Sequence, residues 1–231
     1  MNDVAAGFVE ALRLLAGRDP ELLTIAWTSI WIAAVSTALA ALCGAPLGFV
    51  VATSRFRGRE AAIAVLNTLM AMPTVVIGLV LYAALSRRGP LGPLGLLYTP
   101  AAMILGQFLL ALPIVAALTL SAVGEIDPRV RKTALALGAG GPQAAAAVLR
   151  ESQTGILAAV AAGFGRVFAE VGVSMMLGGN IKDYTRNIPT AIALETARGE
   201  FARGIALGLI LLLVALAINL FLQLARRQAA K

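Results

Sequence analysis

The chain has 231 residues, of which 59% are hydrophobic and only 13% charged, with a net charge of +7 and a mean hydropathy of +0.87. A soluble domain of this size carries about a quarter charged residues; here the apolar residues fall in blocks close to the roughly 20 that cross a bilayer, so a soluble globular protein is set aside. With no histidine and Cys43 as the only cysteine, Ser-His-Asp and Cys-His catalysis, zinc sites of Cys and His, and an intrachain disulfide are excluded.

Residues 1–21 read as an external amphipathic segment and not as a signal peptide, because Asp3 and Glu10 interrupt them and no basic stretch precedes an apolar run. Val4, Phe8, Ala11, Leu12 and Leu15 share one helical face, with Glu10 and Arg13 on the other. That pattern suits a short helix lying at the membrane interface.

Residues 22–231 read as one all-α, polytopic transmembrane bundle. Hydropathy predicts about five spans, near 22–52, 61–85, 99–123, 154–177 and 204–224. Pro46, Pro73 and Pro113 lie inside three of them, where each removes a backbone donor and tends to bend the helix. Such breaks are tolerated where neighbouring helices or a cavity satisfy the freed carbonyls, and those near Pro73 and Pro113 could present donors to an anion. Gly44 with Gly48, Gly204 with Gly208, and the run Gly155, Ala159, Ala162, Gly163 give slim faces for close helix packing. Cys43 reads as a small packing residue.

Four polar side chains stand out within the spans. Asn67 and Gln107 either line a pathway or bond between helices. Arg166 and Glu170 are spaced to pair on one helical face. Charges in hydrocarbon usually face a bundle interior and often mark a pathway, so this pair either ties a gate to the adjoining loop or stabilises packing near a helix end.

Basic residues set the orientation. Arg55, Arg57 and Arg59 follow the first span, Arg129, Arg131, Lys132 and Arg150 lie between the third and fourth, and Arg226, Arg227 and Lys231 follow the last. By the positive-inside rule these loops are cytoplasmic, which puts the N-terminus outside and the C-terminus inside the cytoplasmic membrane of a prokaryote. The opposite loops carry Arg87, Arg88, Lys182 and Arg186, which either attract an anion or another protein or are plain surface charges. No basic run is interleaved with exposed aromatics, so nucleic acid is not an expected partner; membrane lipid is.

The loop 124–153 is the most informative segment. Asp127 followed by Pro128 is a helix start. A helix from 128 to 137 is stopped by Gly138, Ala139-Gly140-Gly141 forms a turn, and Pro142 opens a second short helix to about Arg150. A rigid elbow of small residues suits docking into a groove of another protein, or is an ordinary connection with good turn chemistry.

Here a resemblance adds to the residue-level reading. Lys132-Thr133-Ala134, then Gly138, then Val148 resembles the EAA loop of ABC importer permeases, with Arg150-Glu151 standing where that family has Leu-Pro. Met72-Pro73-Thr74-Val75-Val76-Ile77-Gly78, Arg87-Arg88-Gly89-Pro90-Leu91-Gly92, Glu170-Val171-Gly172 and Gly178-Gly179-Asn180-Ile181-Lys182 resemble the tungstate branch, related to molybdate and sulfate permeases. The resemblance covers nearly the whole chain and implies the MetI-like fold of a type I importer permease. It implies that Lys132, Thr133, Ala134, Leu135, Ala136, Leu137, Gly138, Ala139, Gly140, Gly141, Pro142 and Gln143 form the coupling loop. It implies as partners a second copy of this subunit, ABC ATPase subunits and an extracytoplasmic oxyanion-binding protein. The chain has no G-x-x-x-x-G-K-[ST] phosphate loop, so ATP and magnesium are expected in the partner ATPase; no cofactor, metal ligand or catalytic residue is expected here. The expected function is import of an oxyanion, tungstate first. The competing readings are the same architecture carrying molybdate, sulfate or another small solute, and, from another class, a membrane-embedded enzyme or a structural membrane subunit.

Overall fold

The computed structural model describes residues 2–17 and 20–229, leaving aside the side chains of 2–4, 10, 11, 14–16 and 221–229. Among the described residues the regular structure is entirely helical: α1 Asn2–Gly17, α2 Pro20–Thr53, α3 Arg59–Met70, α4 Thr74–Leu85, α5 Pro100–Gly124, α6 Pro128–Ala136, α7 Gly141–Phe168, α8 Gly172–Gly178, α9 Ile188–Ala197 and α10 Phe201–Ala229, with a 3-10 turn at Gly92–Leu94. Three helices, α2, α5 and α10, are long and apolar enough to cross a membrane, and the number rises to five if the bent pairs α3–α4 and α7–α8 each count as one span.

Outward faces are as apolar as the interior: Trp27, Leu42 and Leu212 are 66%, 72% and 67% exposed. In lipid such faces are solvated, so hydrophobicity does not drive helix against helix; close packing and interhelical bonds must. Helices α2 and α5 meet through the predicted glycines. A methyl on Gly44 would stand 2.9 Å from the Leu112 carbonyl oxygen, and one on Gly48 would collide with that of Ala116. The slim face of α7 packs on α5 at Gly155 and Gly163 with Ala159 buried between them, whereas Ala162 is exposed. Of the other predicted pair, Gly204 faces Thr196 of α9 and Gly208 meets nothing. Cys43, expected to pack, is exposed on α2.

Only one of the three prolines breaks its span. Pro73 takes an extended conformation as the N-cap of α4, and α3 and α4 meet at 93°. Pro46 and Pro113 sit inside unbroken α2 and α5. At Pro113 the neighbours hold the helix: Gly44 of α2 lies against Leu112 and Gly163 of α7 against Val115. A second break falls where no proline stands, at 169–171, and bends α7 against α8 by 61°. The predicted fourth span is therefore a long helix and a short one.

Helix α9 lies in a stretch read as a loop. Its signal is local: Asn187 accepts from the Thr190 amide at 3.0 Å, Thr190 Oγ1 accepts from the Asn187 amide at 3.1 Å, and Pro189 occupies the first turn. Helix α1 packs against α10, with Gly7 against Ile205, while Phe8 and Leu12 of its predicted apolar face are exposed. The side chains of Val4, Glu10, Ala11 and Leu15 lie outside the described residues.

Candidate functional site

Two regions carry the geometry that matters, an elbow at one end of α7 and a joint at the other. At the elbow, Asp127 Oδ1 accepts from the Arg129 amide at 2.8 Å and starts α6 as expected. Gly138, at φ +86°, ends it. The Gly138 amide donates to the Leu135 carbonyl and the Ala139 amide to that of Ala134, both at 3.0 Å. This is the paired bonding of a Schellman motif, which uses carbonyls a helix end would leave open. Gln143 Oε1 accepts from the Gly140 amide at 2.8 Å and opens α7. Glycine has no side chain to return a bond, so half a capping box is made.

The expected second short helix is instead the first turns of α7, which runs unbroken for 28 residues. No neighbour interrupts it near Arg150, and Ala144, Val148 and Ser152 keep one face buried along the way. Leu137 stands at the tip, 83% exposed, with Leu135 beside it at 40%. Lys132, Thr133, Ala136, Gly140, Gly141 and Pro142 are also exposed, and Ala134 and Ala139 are half-buried. The result is a rigid apolar knob with a basic side.

At the far end of α7, Arg166 Nη1 donates to Glu170 Oε2 at 2.7 Å. Glu170 Oε1 accepts from the Val173 amide at 3.3 Å. The carboxylate is buried, while the arginine side chain is 42% exposed. Glu170 thus spans the break in the chain, holding the last turn of α7 by a charge and the first turn of α8 by a backbone donor. The other break lies alongside: a methyl on Gly172 would be 3.3 Å from both Glu170 Oε1 and Thr74 Oγ1. So α4 and α8, the two helices that begin at a break, start side by side, and Gly78 continues the contact against Met176 and Val173. Sequence reasoning missed this pairing; Pro73 and Glu170 each had a signal, but nothing local joins them.

The remaining predicted residues divide. Gln107 bonds between helices: Ser36 Oγ donates to its Oε1 and its Nε2 donates to Ser174 Oγ, both at 3.3 Å, tying α2, α5 and α8 together. Asn67 is exposed on α3 and Pro73 is exposed at the first break, whereas Pro113 is buried in α5. Lys182 and Arg186 are engaged with Glu21 at 3.4 and 3.3 Å, and Arg203 joins them at 3.5 Å. Arg87 and Arg88 are exposed and have no ion pair among the described residues. Beyond them a cavity of about 550 Å³ opens between Tyr82, Tyr98, Met175 and Ile181. The two tyrosine hydroxyls lie 3.2 Å apart, and that hydrogen bond pushes the Tyr98 hydroxyl above its usual value.

A family model described as the binding-protein-dependent transport system inner membrane component matches residues 44–230. The chain belongs to that family. Among the permeases it is similar to, the tungstate uptake system permease protein TupB of Peptoclostridium acidaminophilum is 41% identical over 219 residues, covering 95% of this chain and 96% of that one. TupB of Campylobacter jejuni is 41% identical over 213 residues, covering 92% and 89%. The molybdenum transport system permease protein ModB of Azotobacter vinelandii is 29% identical over 186 residues, covering 75% and 82%. The fold matches that of the inward-facing MetNI methionine ABC transporter with a TM-score of 0.74 at 17% identity, covering 91% of this chain and 96% of the other. The all-α, polytopic bundle expected from the residues and the permease fold implied by the resemblance are therefore the ones found, and the chain is an inner-membrane component of a transport system.

Proposed function

We propose that this permease carries tungstate inward, as one of two identical membrane subunits driven by ABC ATPase subunits that bind ATP and magnesium and fed by an extracytoplasmic binding protein. What supports the substrate is the contrast among relatives: 41% identity across almost the full length of the tungstate permeases, against 29% over three quarters of this chain for the molybdenum permease. The observation that carries the mechanism is α7, one continuous helix joining the exposed elbow at Gly138–Gln143 to the buried carboxylate of Glu170. At one end of α7 stands a knob of the size a groove can grip; at the other stands the joint where two transmembrane segments break.

In this scheme residues 124–153 face the cytoplasm, residues 1–21 lie outside and the C-terminus lies inside. The ATPase grips Leu135 and Leu137, and its closure displaces α7. The Arg166–Glu170 pair then shifts α8 relative to α4. Arg166 is half-exposed with its charge partly answered by Glu170, so it attracts a passing dianion without trapping it. Lys182 and Arg186 already share Glu21, so of those four predicted external cations Arg87 and Arg88 are the two with no ion pair among the described residues and are open to the binding protein.

The test is reconstitution of this permease with its ATPase and binding protein in proteoliposomes. ATP hydrolysis should rise with tungstate, and less with molybdate or sulfate. Stimulation by none of the three removes the substrate assignment.

A further inference from the structure

Near the end of α2 the protein has two cavities that adjoin. One, of about 580 Å³, is polar and includes Arg55, Arg59, Arg131 and Asp127 in its lining. The other, of about 590 Å³, is lined by apolar side chains alone, among them Leu47, Val51, Ala62, Leu66 and Leu69. They meet at one bond: Arg59, of the polar pocket, donates through Nε to the carbonyl of Val51, of the apolar groove, at 2.9 Å. The sequence repeats the arrangement along both walls. Leu47 and Val51 are four apart at the end of α2 with Arg55 in the turn just beyond it, and Arg59, Ala62, Leu66 and Leu69 are three or four apart on α3, so the α3 face passes from charge to grease and the α2 wall ends beside a charge.

The charges are not equally committed. Arg59 also pairs with Glu60 at 3.1 Å, and Asp127 is occupied as the cap of α6. Arg55 and Arg131 are exposed and have no ion pair among the described residues. The polar pocket therefore offers two open guanidiniums where α2 and α5 end, at the boundary between hydrocarbon and water. A basic pocket there, set between transmembrane helices, suits an anionic lipid headgroup.

We infer that the two cavities form one site for an anionic phospholipid, its phosphate held by Arg55 and Arg131 and one acyl chain lying in the groove past Val51, Ala62 and Leu66. A free oxyanion would use the pocket and leave the groove empty. A second copy of the chain seated over the groove would fill the apolar half and leave Arg55 and Arg131 without a counter-charge, unless it also brought a carboxylate to them. A phospholipid answers both halves at once.

The experiment is native mass spectrometry of the assembled permease and ATPase complex, released from bilayers of phosphatidylglycerol and phosphatidylcholine in equal parts. Wild type should retain phosphatidylglycerol preferentially, by about fivefold for each open arginine. Arg55→Gln with Arg131→Gln should abolish the preference, Arg55→Lys with Arg131→Lys should largely restore it, and Ala62→Phe should reduce retention of either lipid. Thermal melting of each complex checks that the variants are folded; if the double glutamine variant does not assemble, the lysine and Ala62→Phe pair decides. Unchanged preference in a folded arginine variant overturns the site. So does displacement of the lipid by millimolar inorganic phosphate, which would make the pocket a free-anion site. Crosslinking of two chains through Val65→Cys in a Cys43→Ser background would make the groove a subunit interface and also overturn it. The readout is lipid and not transport, so the outcome is independent of which anion is carried.

Discussion

At the residue scale, Glu170 concentrates the most chemistry. Its carboxylate is buried, so its two bonds are made without water to replace them. Glu170→Gln keeps the shape and an acceptor for the Val173 amide but leaves Arg166 without its counter-charge. A bond between charged groups is worth about 1.5–3 kcal/mol, so uptake in proteoliposomes should fall by roughly ten- to a hundredfold while size-exclusion still shows an assembled complex. Full uptake by that variant would end the assignment of the pair to the gate. Gln107 behaves differently because it bonds between helices. Gln107→Leu strands the buried Ser174 hydroxyl, costs about 1–3 kcal/mol, and should lower the melting temperature of the detergent-solubilised protein without altering the order of anion preference. These two residues also show what one sequence can reveal. A polar group in an apolar span announces that it has a partner, and i to i+4 spacing named the partner of Glu170. The partners of Gln107, at Ser36 and Ser174, lie about 70 positions away and are invisible to any local pattern.

At the element scale, the elbow was readable nearly to the residue, because helix caps are local chemistry: Asp127, Pro128, Gly138 and Gln143 each act within five positions of themselves. The prolines were not readable, because whether a span yields depends on what surrounds it. Pro113 is clamped by glycine contacts from two sides and its helix continues; Pro73, exposed, starts a new one. The break at 169–171 carries no proline and needed the tertiary structure to appear at all. Gly138 supplies the test for this scale. Its φ of +86° disfavours a β-branched side chain. Gly138→Val should cost about 1–2 kcal/mol locally and uncouple ATP hydrolysis from uptake, whereas Gly138→Asn, which tolerates the left-handed region, should retain most coupling. Equal coupling in both, measured as anion transported per ATP, would show that the elbow's shape is irrelevant.

At the scale of the whole molecule, the question is which end faces which compartment. The elbow, Arg55 and Arg131 lie at one end, and Arg87 with the Tyr82–Tyr98 pair lies at the other. In a Cys43→Ser background, Leu137→Cys should react with a membrane-impermeant maleimide only in inverted vesicles, and Arg87→Cys only in intact spheroplasts. The reverse pattern would place the knob outside the cell, out of reach of any ATPase, and the coupling scheme would fall with it.

The slim contact of α7 with α5 at Gly155 and Gly163, centred on the buried Ala159, has a mechanical consequence. Taken as a fulcrum at Ala159, it divides α7 into arms of about 27 Å toward the elbow and about 14 Å toward the joint, at 1.5 Å of rise per residue. A stiff rod pivoting there halves displacement and doubles force. A swing of about 4 Å at Gly141 therefore arrives at Phe168, just past Arg166, as about 2 Å, in the opposite direction. Glycines one turn either side of the pivot let the rod roll without a side chain catching.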